Sequence, residues 1–221
     1  MFFGRVYKAK HRRTGQDVVV KELKESDPSA RAAFVAEISL LKVLRHPNVL
    51  RFVGIFCKED KLHLITEFIS GGSLDNVIMG KELPWALRIK WALDVACGME
   101  YLHDRRVIHR DLKSENCAFA CLVRKNGQAV VADFGLARVL EGEILTRAAV
   151  EDEKTTIRPR TMTIVGTPYF MAPELIMGME YNLLADVFSF GVLLCELIGR
   201  IQADPDIMPR LNNFGIDQDT F

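Results

Sequence analysis

Apolar positions along the chain change their period, and the change divides it into two parts. Residues 3–11 and 17–23 are short runs of β-favouring residues joined by Arg12-Arg13-Thr14-Gly15, which predicts a strand pair with glycine at a positive-φ turn. Over 30–44 the period lengthens. Phe34, Ile38 and Leu41 fall on one helical face, and His46-Pro47-Asn48 ends the helix, because proline restricts the residue before it. Apolar runs at 49–57 and 62–68, separated by the polar turn 58–61, predict two more strands. Ser70-Gly71-Gly72-Ser73 then breaks the pattern and is the expected hinge between two lobes. After Leu83 the chain reads as mostly helical. Residues 85–103 predict a long amphipathic helix with Ile89, Leu93, Ala96 and Met99 on its apolar stripe. A short apolar strand is expected at 129–132. Residues 141–163 are charged, threonine-rich and without period, and loops of that length are usually functional or disordered. Regular helix resumes near Leu184. The apolar run 187–198 carries Ser189 and Glu196, is too short to cross a bilayer, and reads as a core helix. The fold class expected is α+β, with a small antiparallel β lobe holding one helix (1–69) and a larger, mostly helical lobe (70–221).

Certain polar residues do not fit this patterning. Lys21 closes the run Val18-Val19-Val20 and lies either at a wet strand end or in a cleft. Glu37 shares the apolar face of its helix with Phe34 and Leu41. A carboxylate there is costly unless paired. Lys21 is the available partner, the alternative being a place at the stripe's wet edge. Next come His109-Arg110-Asp111-Leu112-Lys113-Ser114-Glu115-Asn116 and, after the strand at 129–132, Asp133-Phe134-Gly135. Ala172-Pro173-Glu174 follows. Each motif alone is common by chance; five in this order are not.

Composition narrows the classes. The 221 residues have a formal net charge of zero, which gives no support for a nucleic-acid or anionic-membrane partner. Five cysteines, an odd number with no C-x-x-C pair, argue against a disulfide framework or zinc site. They fit a reducing compartment, cytoplasmic or nuclear. No signal-peptide pattern opens the sequence.

The ordered motif set resembles the protein kinase superfamily over nearly the whole chain. The resemblance implies a two-lobed protein-kinase-like fold, ATP and Mg2+ as cofactors, and transfer of the γ-phosphoryl group to a protein hydroxyl. It also assigns roles. Lys21, held by Glu37, would contact the α- and β-phosphates; Asp133 and Asn116 would hold magnesium; Asp111 would take the acceptor's proton; Lys113 would neutralise the transferred group. Gly4 would end the phosphate-covering loop, Val6 and Val19 would sandwich the adenine, and Thr66 would stand at the gate. Glu67, Phe68 and Ile69 would form the hinge that hydrogen-bonds the base. Lys113 and Thr167 resemble serine/threonine kinases, dual specificity included, rather than tyrosine kinases.

A finer resemblance is to the LIM-kinase and testis-specific-kinase family. It is carried by 130–138, 163–166 and 186–191, and most specifically by Cys195-Glu196-Leu197-Ile198-Gly199-Arg200 with Ala203-Asp204-Pro205-Asp206, Pro209-Arg210 and Phe214-Gly215. It implies cofilin-type substrates, control of actin, and an upstream activating kinase acting on Thr163, whose phosphate would pair with Arg110. Against the family pattern, the domain is expected to be incomplete at both ends, lacking the first strand, the earlier loop glycines and the last helices. Glu174 would lack its arginine partner, and 117–123 reads as longer than in LIM kinases. The rival reading is a catalytically impaired kinase fragment acting as a binding module.

Overall fold

The computed structural model describes residues 4–23, 28–59, 61–80, 83–114, 121–140, 168–217 and 219–220. Asn116, Thr163 and Thr167, the expected loop at 141–163, and residues 117–120 of the longer segment lie outside them.

The small lobe is a four-stranded antiparallel sheet. Strands β1 (Gly4–Lys10), β2 (Asp17–Leu23), β3 (Phe52–Lys58) and β4 (Lys61–Glu67) stand in the order β1-β2-β4-β3. Helix α1 (Pro28–Val43) connects β2 to β3. Strand register decides which side chains meet. Val6 pairs with Lys21, Lys21 with Leu64, and Val19 with Thr66, so all five side chains share one face. Leu23 and Leu64, on that same face, pack in the core with Phe34, Ile38 and Leu41 of α1. The strand therefore delivers Lys21 to α1 and not to bulk water.

The large lobe holds α2 (Leu74–Gly80), α3 (Trp85–His103), α4 (Pro173–Ile176) and α5 (Leu184–Gly199). Two short antiparallel pairs lie among them, β5 (Val107–Ile108) with β8 (Arg138–Val139), and β6 (Cys121–Val123) with β7 (Ala129–Val131). The segment after α1 ties the lobes together. Leu50 N donates to Val131 O and Val131 N to Asn48 O, both at 2.8 Å. At the expected hinge, Gly71 N donates to Val123 O at 2.9 Å. A Cβ on Gly71 would stand 2.2 Å from that oxygen, so only glycine permits the approach.

The α3 helix has the predicted bounds but buries a different face. Ile89 and Leu93 are 63% and 61% exposed, whereas Trp91, Val95, Gly98, Met99 and Leu102 are buried. Trp91 leads this face because its ring fills the core while its indole Nε1 donates to Gly127 O at 3.0 Å. Of the predicted stripe, only Met99 is buried. The α5 helix is a core helix as expected, with Val192, Leu193 and Leu197 buried, although Val187 and Ile198 at its margins are exposed.

Candidate active site

Four short segments converge where the lobes meet. Lys21 Nζ donates to Glu37 Oε1 at 2.8 Å and Oε2 at 3.0 Å, and lies 3.8 Å from Asp133 Oδ1. Glu37 is buried, which resolves the two sequence alternatives in favour of the pair. Burial pushes its carboxyl up from the ordinary range and Lys21 pulls it back, while Asp133 adds to the rise. The lysine thus stands between two carboxylates, one buried behind it and one open to the cleft.

Asp133 occupies the left-handed region at φ 58°. That costs a residue with a β-carbon and persists where the surroundings over-determine it. Phe134 does so, being buried edge-on against the His109 ring at 5.3 Å. Gly135 N donates weakly to Asp133 Oδ1 at 3.4 Å. A Cβ on Gly135 would lie 3.3 Å from that oxygen and 3.9 Å from Glu37 Oε2, so glycine keeps the carboxylate cluster open.

The segment bearing Asp111 is held from below. Asp186, at the start of α5, accepts from His109 N at 2.9 Å and from Arg110 N at 2.8 Å. His109 Nε2 bonds Ala132 O at 2.8 Å, linking this segment to the one carrying Asp133. Lys113 Nζ donates to Asp111 Oδ1 at 2.9 Å. Burial raises the Asp111 carboxyl above its usual range, opposed by the Lys113 charge. Arg110, also left-handed at φ 65°, donates through Nε to Leu136 O at 2.6 Å and through Nη1 to Tyr181 Oη at 2.9 Å. Burial lowers its pKa.

The cleft wall differs in part from expectation. Val6 and Val19 lie on one face of the sheet, so they form a single wall and cannot sandwich a ring between them. Thr66 stands beside Val19 on that wall. Glu67 pairs with Val18, on the opposite face. Its carboxylate accepts from Arg124 Nη2 at 2.6 Å and Arg51 N at 2.9 Å, and its amide donates to Arg51 O at 3.1 Å. Its side chain therefore braces the back of the hinge. Phe68 lies under Lys8 Nζ at 4.1 Å, Ile69 is buried, and Gly4 opens β1 opposite Leu23.

Asp133, partly exposed and aimed into the cleft, is a hard oxygen donor suited to a divalent cation. Among the described residues no cluster of three His, Cys, Asp or Glu side chains could hold a metal unaided. Such a cation would need phosphate oxygens as well, which Lys21 is placed to attract.

The family described as protein kinase domain matches residues 2–205. The chain belongs to the protein kinase family. That kinase domain implies ATP and a divalent metal as cofactors and proteins as substrates. Over its whole length the chain is 42% identical to LIM domain kinase 1 of Drosophila melanogaster and covers 19% of that protein. It is 45% identical to dual specificity testis-specific protein kinase 1 of Mus musculus, covering 33% of it. It is 44% identical to dual specificity testis-specific protein kinase 2 of Rattus norvegicus, covering 36%. The kinase chain thus spans about a fifth to a third of the length of these curated relatives. Among its described residues no helix is long and apolar enough to cross a membrane.

Residues that the sequence reading missed are those binding the kinase motifs from outside. Arg124, which holds Glu67, had no signal, because its partner lies 57 positions away. Asp186 and Ser189 were read only as parts of a family motif.

Proposed function

We propose that this kinase transfers the γ-phosphoryl group of ATP to serine or threonine hydroxyls, with dual specificity included, and that its acceptors are cofilin-type actin-depolymerising proteins. The observation that carries the transfer reading is the convergence of Lys21, Glu37 and Asp133 within 4 Å, beside an Asp111 bound to Lys113.

In this reading residues 1–69 form the small lobe and 70–221 belong to the large one. Val6, Val19 and Thr66 wall the adenine on one side, and backbone of 67–69 meets its edge. Gly4 lies toward the phosphates. Lys21 binds phosphate oxygens, and Glu37 keeps its ammonium extended toward them. Asp133 and Asn116 would hold Mg2+, which would supply charge neutralisation at the phosphates. Asp111 accepts the acceptor's proton, its raised pKa making it a better base than an exposed aspartate. Lys113 holds Asp111 in place and offsets charge on the group being moved. The reaction needs positioning and electrostatics more than covalent help, and these residues supply both.

The substrate class and actin role rest on 42–45% identity to LIM and testis-specific kinases. We also assign Thr163 as the site of an upstream kinase, with Arg110 as its phosphate partner. Among the described residues the Arg110 side chain donates to the Leu136 carbonyl and the Tyr181 phenol, and the Asp186 carboxylate also favours its charge. Cysteine usage supports a cytoplasmic or nuclear location.

The test is label transfer from γ-labelled ATP by the full-length protein to cofilin, followed by phosphoamino-acid analysis. Label on cofilin serine, lost in Asp111→Asn and no longer stimulated by an upstream kinase in Thr163→Ala, is expected. Label on generic acceptors but not cofilin would overturn the substrate class. No transfer at all would overturn the enzyme reading and leave the binding module.

A further inference from the structure

A cavity of about 400 Å³ opens behind the hinge, lined by the segment joining α1 to β3, by Glu67 at the end of β4 and by Arg124 just after β6. Of the residues proposed to meet the nucleotide, only Glu67 lines it, through a side chain turned to Arg124. Glu67 lies on the sheet face opposite Val19, Lys21 and Thr66.

The charged lining is lopsided. Arg45, Arg51 and Arg124 stand against one carboxylate, Glu67, which leaves a surplus of two positive charges in a chain whose net charge is zero. His46 adds none. Its Nδ1 accepts from Asn48 N at 3.1 Å, and burial and the Arg105 charge lower its pKa. Arg105 and Glu100 act on that ring with opposite sign. Arg124 is fixed in place, donating to Glu67 Oε1 at 2.6 Å, Pro47 O at 3.0 Å and Gln128 Oε1 at 2.9 Å. Arg45 and Arg51 are exposed, and among the described residues neither pairs with a carboxylate. Their backbones are held independently of their charges. Arg45 N donates to Tyr101 Oη at 2.6 Å and Arg51 N to Glu67 Oε1 at 2.9 Å. Like charges held together repel, and a bound anion relieves the repulsion. Leu44, Pro47 and Val49 give the cavity an apolar wall. Small-molecule sites have this volume and this make-up, an apolar lining with a few placed charges.

We propose that this cavity binds a phosphate monoester carried on a small apolar group, its dianion held by Arg45, Arg51 and Arg124 and its apolar part lying against Leu44, Pro47 and Val49. Phosphate suits the site better than carboxylate. Its charge of about −2 at neutral pH matches the surplus, and arginine forks match its oxygens. Binding here does not depend on phosphoryl transfer.

The experiment is calorimetric titration of the full-length protein with phenyl phosphate. Saturable binding is expected, absent for uncharged benzyl alcohol and kept when Mg·ADP fills the nucleotide cleft. In Arg45→Gln/Arg51→Gln it is expected to weaken at least about tenfold. That double substitution removes both charges and neither backbone bond, so an unchanged melting temperature is expected. If the double variant melts early, the single variants decide, each expected to weaken binding about threefold. No saturable binding, equal affinity in the variants, equal binding of benzyl alcohol, or displacement by Mg·ADP would overturn the proposal. A short peptide carrying phosphotyrosine is the second arm. Tighter binding than phenyl phosphate assigns a phosphate borne by a protein, equal or weaker binding assigns a free one, and both outcomes keep the site.

Discussion

At the scale of residues, burial raises the Glu37 and Asp111 carboxyls and the lysine paired with each opposes the rise. Asp111 and Lys113 are the clearest case. Desolvation raises the aspartate's pKa and the lysine charge at 2.9 Å lowers it. Removing the lysine takes away the largest lowering influence and leaves only a smaller one from His109 against burial and Asp133. The acid limb of kcat/KM for the free enzyme is therefore expected above the ordinary aspartate range, and Lys113→Met is expected to move it to still higher pH. A pH–rate profile checks this, and a limb that stays put or moves down would contradict it. The Lys21–Glu37 pair was half legible in the sequence, because a carboxylate on an apolar helix face is costly unless paired, with a wet edge of the stripe as the alternative. The left-handed conformations of Arg110 and Asp133 were not legible, since neither residue type signals a positive φ by itself.

At the scale of elements, period fixes existence and bounds more reliably than it fixes the buried face. The α3 helix begins and ends as predicted. The stripe Ile89-Leu93-Ala96 was nevertheless the wrong one, because this helix is apolar on more than one side and pattern alone cannot choose between them. The face against β7 is decided by Trp91, whose ring fills the core and whose N–H finds a carbonyl on the β6–β7 turn. Trp91→Ala is expected to cost about 3–5 kcal/mol, whereas Leu93→Gln is expected to lie within about 0.5 kcal/mol of wild type. Chemical denaturation of both variants checks the assignment, and comparable losses would contradict it. Strand β2 teaches the complementary lesson. Its continuous apolar run alone placed Lys21 at either a wet end or a cleft. The register with β4, which puts Leu64 beside it, selects the cleft.

At the scale of the whole molecule, the α5 helix is the common mount. Asp186 holds the Asp111 loop, Ser189 holds Phe170, and Glu196 holds the tail that carries Arg210. Few of these contacts could be read in advance. Those of Ser189 and Asp186 join positions 19 and 77 residues apart, and a single sequence carries no signal for pairings so distant unless a known family supplies it. The α+β class, the strand pairs, the hinge and, in part, the Lys21–Glu37 pair could be read, because each follows from local period or from an uncompensated charge. Joining the two lobes, the Asn48–Val131 and Leu50–Val131 bonds keep the sheet bearing Lys21 over the segment bearing Asp133. Lys21 and Asp133 are the two residues proposed to grip one metal-bound nucleotide from opposite lobes. The most direct measurement is the melting temperature of the full-length protein with and without Mg·ATP, for wild type, Lys21→Met and Asp133→Asn. Saturating nucleotide at about a hundred times Kd stabilises the native state by about 2.7 kcal/mol, which should raise the wild-type melt and leave both variants nearly unmoved. A wild-type melt indifferent to Mg·ATP, or variants shifted as far as wild type, would contradict it.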